Sequence, residues 1–131
     1  MNLSDPKIRE EYINHILGLM SEEKISRELL DQFIIMTTRG EEKFPISSED
    51  AATFLNISTD KIIELICENK NYEKNINYIE NEEKYLLTVN CFEDICLRTR
   101  SVVGKQIRLY YRVASINFEK MFVGNISQNI N

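Results

Sequence analysis

The stretch SEDAATFLNISTDKIIELIC, residues 48–67, carries more structural information than any other part of this chain. Ser47-Ser48-Glu49-Asp50 supplies a hydroxyl cap and an acidic first turn for a short helix ending at Leu55, and Ser58-Thr59-Asp60 caps a second helix through about Glu68. Asn56 breaks the pattern between them, and asparagine is among the few side chains that tolerate a left-handed backbone. A helix-turn-helix needs a small residue where the second helix crosses the first, such a turn residue, and apolar inner faces. Ala52 is the small residue, Asn56 the turn, and Ala51, Leu55, Ile57, Ile62 and Leu65 occupy the inner positions. The pattern predicts this motif over the plainer alternative of two amphipathic helices joined by an arbitrary turn.

The second helix has Thr59 and Lys61 where a groove-reading helix would meet bases. It also has Asp60, Glu64 and Glu68 at i, i+4 and i+8, so three carboxylates share one face, where flanking phosphates would repel them. Two uses of the helix follow. Either it is scaffold or a protein-binding surface while another element meets DNA, or Glu64 accepts a hydrogen bond from a cytosine amine. The scaffold use is preferred.

Downstream, Asn77-Tyr78-Ile79 and Lys84-Tyr85-Leu86-Leu87-Thr88 flank the polar Asn81-Glu82-Glu83 and predict a β-hairpin, the wing of a winged motif, with an acidic tip at Glu80, Glu82 and Glu83. Thr88 caps a helix through Phe92, Ile95 and Cys96. Gly104 lies near the start of a long last helix whose stripe is Val103, Ile107, Tyr110 or Tyr111, Ala114, Phe118 and Met121. This region is also where the charge changes sign. Residues 1–94 hold 10 Lys/Arg against 20 Asp/Glu, and residues 95–131 hold 6 against 1, a net of −10 against +5. Within CLRTRSVVGKQIRLYYRV, residues 96–113, Lys105, Arg108 and Arg112 form a ridge at i, i+3 and i+7, joined by Arg98 and Arg100 from the preceding turn. Five such cations could meet five phosphates, for a salt slope no steeper than about −4.5. Tyr110 and Tyr111 offer stacking on an unpaired base, although the stripe assigns one of them to the core. The opposing expectation is that the arginines pair with the acidic first 94 residues and meet no ligand.

Upstream, Ser4-Asp5-Pro6 opens a helix with Ile8, Tyr12, Ile16 and Leu19 at helical spacing to about Met20. Ser21 is read as the cap of a second helix, with Ile25, Leu29, Phe33 and Met36 in its stripe and Gly40 as its stop. The organisation expected is a helical hairpin over 1–43, a helix-turn-helix-like domain over 44–122, and a flexible tail over 123–131. The fold class is α+β, mainly helical. With 131 residues, 43% of them apolar, the chain holds one domain's worth of material with room for a core.

The charged opening MNLSDPKIREEY and the absence of a run near the roughly 20 apolar residues of a membrane helix predict a soluble, non-secreted protein with no membrane partner. Cys67, Cys91 and Cys96 lack zinc-ligand spacing and are expected as reduced, mostly buried packing residues; His15 is remote from them. One histidine, no glycine-rich phosphate loop and no nucleophile–base pair leave nothing to carry catalysis, so no enzyme, cofactor or metal is expected.

The run from Phe44 to Phe122 resembles a DNA-binding domain of entomopoxvirus and iridovirus proteins, distantly similar to Bro/KilA-type and phage antirepressor domains. The residues carrying the likeness are Pro45-Ile46-Ser47 with Ala52, Asn77-Tyr78-Ile79, Lys84 to Thr88, Cys91-Phe92, Cys96-Leu97, Arg100-Ser101 and Arg108-Leu109-Tyr110-Tyr111. Family members usually follow the last segment with a hydrophobic residue and an acid, whereas this chain continues Arg112-Val113-Ala114-Ser115. The resemblance implies a viral regulatory protein of the infected cell's cytoplasm or nucleus.

Two functions are thus expected. In the first, a nonenzymatic domain binds double-stranded DNA, with Arg98, Arg100, Lys105, Arg108 and Arg112 on phosphates and Thr59 and Lys61 at the bases. In the second, a protein-interaction module meets a host or viral protein, or a second copy as a homodimer, through Asp60, Glu64 and Glu68 and through the apolar surplus of Phe33 and Ile34.

Overall fold

A computed structural model describes residues 2–20, 25–39 and 42–115. Asp5 caps α1 (Pro6–Gly18), its carboxylate accepting from the Lys7 and Ile8 amides. α2 spans Arg27–Thr37 and is capped by Ser26. The cap expected at Ser21 and the stop at Gly40 lie outside the described residues, and the helix opens later than its sequence pattern suggested because Ser26 takes the Leu29 amide. β1 (Ile46–Ser47) leads directly into α3 (Ser48–Leu55), capped by Ser47. Asn56 ends α3 at φ 56° and ψ 44°, the left-handed conformation expected of it, and Ile57 N–H returns to the Ala52 carbonyl at 3.0 Å. Ser58 caps α4 (Thr59–Glu68), which completes the helix-turn-helix.

β2 (Tyr78–Asn81) and β3 (Lys84–Leu87) form the wing, with β1 added on the far side of β3. The order β1-β3-β2 is antiparallel throughout, and the register sets Ile46 and Tyr78 on either side of Leu87. Asn81 faces Lys84, so only Glu82 and Glu83 turn the hairpin, both at positive φ. That is the turn geometry strand twist favours, in residues ill suited to it. Thr88 caps α5 (Val89–Arg98), and α6 covers 102–115 among the described residues. The structure is α+β and mainly helical.

One apolar core joins these elements, and Phe33 of α2 is its hub. Its ring lies 5.8 Å from Phe54 of α3, 5.9 Å from Phe92 of α5, and 6.0 and 5.9 Å from Tyr110 and Tyr111 of α6. The amino-terminal hairpin therefore packs on the helix-turn-helix region through the same rings. Phe33 and Ile34 are each 2% exposed, which corrects their assignment to a partner surface: four elements converge on α2, so it buries more than one stripe. α4 turns Ile62 and Ile66 into the core, with Leu65 only half-buried, so Ile66 takes the inner place expected for Leu65. Phe118, Met121 and the tail lie outside the described residues.

Candidate nucleic-acid interface

The corner between α5 and α6 organises the basic residues. A Cβ on Gly104 would sit 2.2 Å from the Thr99 carbonyl oxygen, so glycine alone lets α6 begin this close to the end of α5. One turn on, Arg108 donates from Nη1 to the carbonyls of Leu97 at 3.1 Å and Thr99 at 2.9 Å. Those carbonyls have no helical partner of their own, and a cation suits the negative end of the α5 dipole. Arg98 is held through Nε by Asp94 at 3.0 Å, a turn earlier on the same helix. Asp94 also accepts from the Tyr72 hydroxyl; burial first, then that hydrogen bond, raises the Tyr72 pKa well above its ordinary value. Among the described residues Arg98 makes no second ion pair.

Facing this corner across a cleft of about 430 Å³ is α4. Ile57 and Leu65 give the cleft apolar surface over the buried Ile95, Tyr72 adds an aromatic side chain, and the exposed Lys61, Arg98 and Arg100 bring three cations to it. Spacing explains the α4 contribution: positions 61 and 65 lie i, i+4 on one row of the helix, and Ile57 joins them from the turn before it. The carboxylates Asp60, Glu64 and Glu68 form the adjacent row, all exposed. Lys61 pairs with Glu64 at 3.6 Å.

Of the expected contact residues, Lys61, Arg98 and Arg100 are brought together, and Arg108 is fixed to the same corner. Lys105, in the first turn of α6, and Arg112, farther along it, are exposed and outside the cleft lining, and Arg112 is not without a partner. Thr59 is the first residue of α4, half-buried and outside the cleft lining. Among the described residues Arg100 and Lys105 make no ion pair. The stacking role expected of Tyr110 and Tyr111 does not hold. Tyr110 is buried with its hydroxyl 2.9 Å from that of Tyr12, and Tyr111 donates to Glu93 at 2.5 Å while both rings pack on Phe33.

Sequence reasoning missed Tyr72 and Asp94. Asp94 was legible as the i, i+4 partner of Arg98, just upstream of the acid-free run. Tyr72, a lone aromatic in the polar loop 69–74, left no periodic signal.

Cys91 and Cys96 are buried, and burial pushes the Cys91 thiol up to about 12 and Cys96 higher still. Cys67 is exposed, a correction to its expected packing role: α4 points Ile62 and Ile66 inward, leaving position 67 outside. No group of three or more potential metal ligands occurs among the described residues. None of the described helices is long and apolar enough to cross a membrane.

Comparison with family models, with characterised proteins and with solved structures finds no match for this chain.

Proposed function

We propose that this is a nonenzymatic, viral-type regulatory domain that binds DNA through the α5–α6 corner and the adjoining edge of α4. One observation carries the reading: Lys61 of the second helix of the helix-turn-helix shares a single cleft with Arg98 and Arg100, although the chain is acidic overall. Arg100 and Lys105 supply charge with no carboxylate of the described residues against it, Arg98 makes no ion pair among those residues beyond that with Asp94, and Arg108 is held ready at the corner. In this reading α4 positions Lys61 and does not enter the groove, because its carboxylate row would face the phosphates. Fluorescence anisotropy on a labelled duplex at several salt concentrations tests it. The expected log–log slope is about −2 to −3, and the double substitution Arg100→Gln/Lys105→Gln flattens it by about 2, one unit for each phosphate no longer neutralised. Affinity indifferent to salt and to both substitutions refutes the reading.

The exposed row Asp60, Glu64 and Glu68 favours a second reading, docking of a protein with a basic surface. Substituting Glu64→Gln and Glu68→Gln separates the two. DNA affinity rises if these carboxylates only repel phosphates, whereas capture of a partner falls if they are the contact.

A further inference from the structure

The cleft differs from a plain phosphate-binding surface in having an apolar interior. A duplex laid across Arg98, Arg100 and Lys61 would neutralise the rim and leave the half-buried Ile57 and Leu65 uncovered, because its bases stay stacked. The charge balance is also small. Three cations stand against the carboxylates of Asp94 and Glu64, a net of +1 among these groups, which matches one phosphodiester and not a row of them. A volume of about 430 Å³ suits one flat heteroaromatic body with its sugar, within the range of small-ligand sites. Tyr72 has its hydroxyl fixed by Asp94, so an aromatic side chain is set in place beside that space.

We infer that the cleft receives a single unstacked nucleotide: its phosphate lies between the terminal nitrogens of Arg98 and the Arg100 guanidinium, and its base against Tyr72 and the Ile57 and Leu65 surface. This rests on the DNA reading above and sharpens it, since the favoured target becomes DNA with an unpaired base in place of an intact duplex. The apolar surface supplies affinity that the nearly balanced charges do not, and base–aromatic contact is tolerant of sequence.

The test uses the full chain and three labelled DNAs of one sequence at low and raised salt: an intact duplex, the duplex with one unpaired thymine, and the single strand. The unpaired-base duplex and the single strand bind about tenfold or more tightly than the intact duplex, the scale of one stacked base. Tyr72→Leu reduces that preference to near unity. Arg100→Gln does the same at an exposed position with no ion pair among the described residues, so it reads out the cleft even if the tyrosine variant misfolds. Equal affinity for intact and unpaired-base duplexes overturns the inference and leaves the DNA reading standing. A preference that survives both substitutions overturns the cleft as its seat. Failure to bind any of the three DNAs at low salt removes the DNA reading itself. Tighter, Arg100-dependent binding of an acidic, aromatic-containing peptide assigns the cleft to a protein partner and overturns the inference.

Discussion

Gly104→Ala tests the geometry on which the candidate interface depends. The added methyl would lie 2.2 Å from the Thr99 oxygen and 3.2 Å from both the Thr99 carbon and the Cys96 oxygen. Reaching an ordinary separation requires a movement of about 1 Å, and the atoms in the way are backbone, not a side chain that can rotate aside. Overpacking of this kind costs roughly 1–3 kcal/mol. The Thr99 carbonyl also accepts from Ser101 N–H at 3.1 Å and from Arg108 Nη1 at 2.9 Å. Shifting it weakens both bonds, a further ~1 kcal/mol, against a gain of about 1 kcal/mol from alanine's helix propensity. The expected net is a loss of about 2 kcal/mol, or a Tm lower by about 6–10 °C. Urea unfolding followed by far-UV circular dichroism measures it. Gly18→Ala is the matched control: nothing lies within 4 Å of its added methyl, so the same substitution gains about 0.5 kcal/mol there. If Gly104→Ala is as stable as the parent or more so, α6 does not press on the end of α5, and the corner that gathers Arg98, Arg100 and Arg108 does not have this geometry.

Further outcomes follow from the same fold. Ser48→Ala raises the urea midpoint, by about 1–2 kcal/mol of stability, because the Ser48 hydroxyl is fully buried with no hydrogen-bond partner among the described residues. Glu82→Asn with Glu83→Gly stabilises the wing by about 1–2 kcal/mol in the same assay, since both positions hold positive φ in residues that resist it. Phe33→Ala costs about 3–5 kcal/mol, read as a collapsed thermal transition, because the ring contacts four others in three helices. Burial raises the Cys91 thiol from 9.0 to about 12, with Cys96, Tyr110 and Tyr111 raised in the same sense. The folded chain therefore holds these protons more tightly than the unfolded one, and the stabilisation is complete below pH 9 and lost as pH climbs toward 12. Unfolding titrations across that window should show the decline, and alkylation of the native chain should modify Cys67 alone.

Local chemistry was what the sequence made legible. Ser47, Ser58 and Thr88 cap the helices expected of them, each taking an amide three residues on, and Asn56 adopts the backbone its side chain permits. These are interactions between neighbours, so their signal is written in adjacent letters. Pairing and burial across long separations were not. β1 is two residues long and exists only because Ile46 and Ser47 meet Leu87 and Leu86, far along the chain. Phe33 and Ile34 looked surplus because the sequence shows one helix at a time; the demand for a second buried face comes from α3, α5 and α6 arriving together. The cleft was hidden for the same reason, being assembled from α4, the loop at Tyr72 and the α5–α6 corner.

The fold changes what the uneven charge means. Read linearly, five cations without a neighbouring acid promise a strong polyanion site. Folded, Asp94 reaches forward to Arg98, Glu64 lies beside Lys61, and Arg108 is anchored to two backbone carbonyls. Each contact trades long-range attraction for placement: the Asp94 and Glu64 carboxylates offset part of the charge on Arg98 and Lys61, and two backbone carbonyls position the Arg108 guanidinium at the helix terminus. On the proposed DNA-binding function, such a site would attract DNA weakly at a distance and discriminate at close range. Its affinity should therefore track salt with a slope nearer −2 than the −4.5 of five independent charges, and depend more on whether a base can leave the stack for the apolar cleft. A slope near −4.5, unchanged between intact and unpaired-base duplexes, would mean that the cations act as a diffuse patch and that the pairing in the folded chain does not govern recognition.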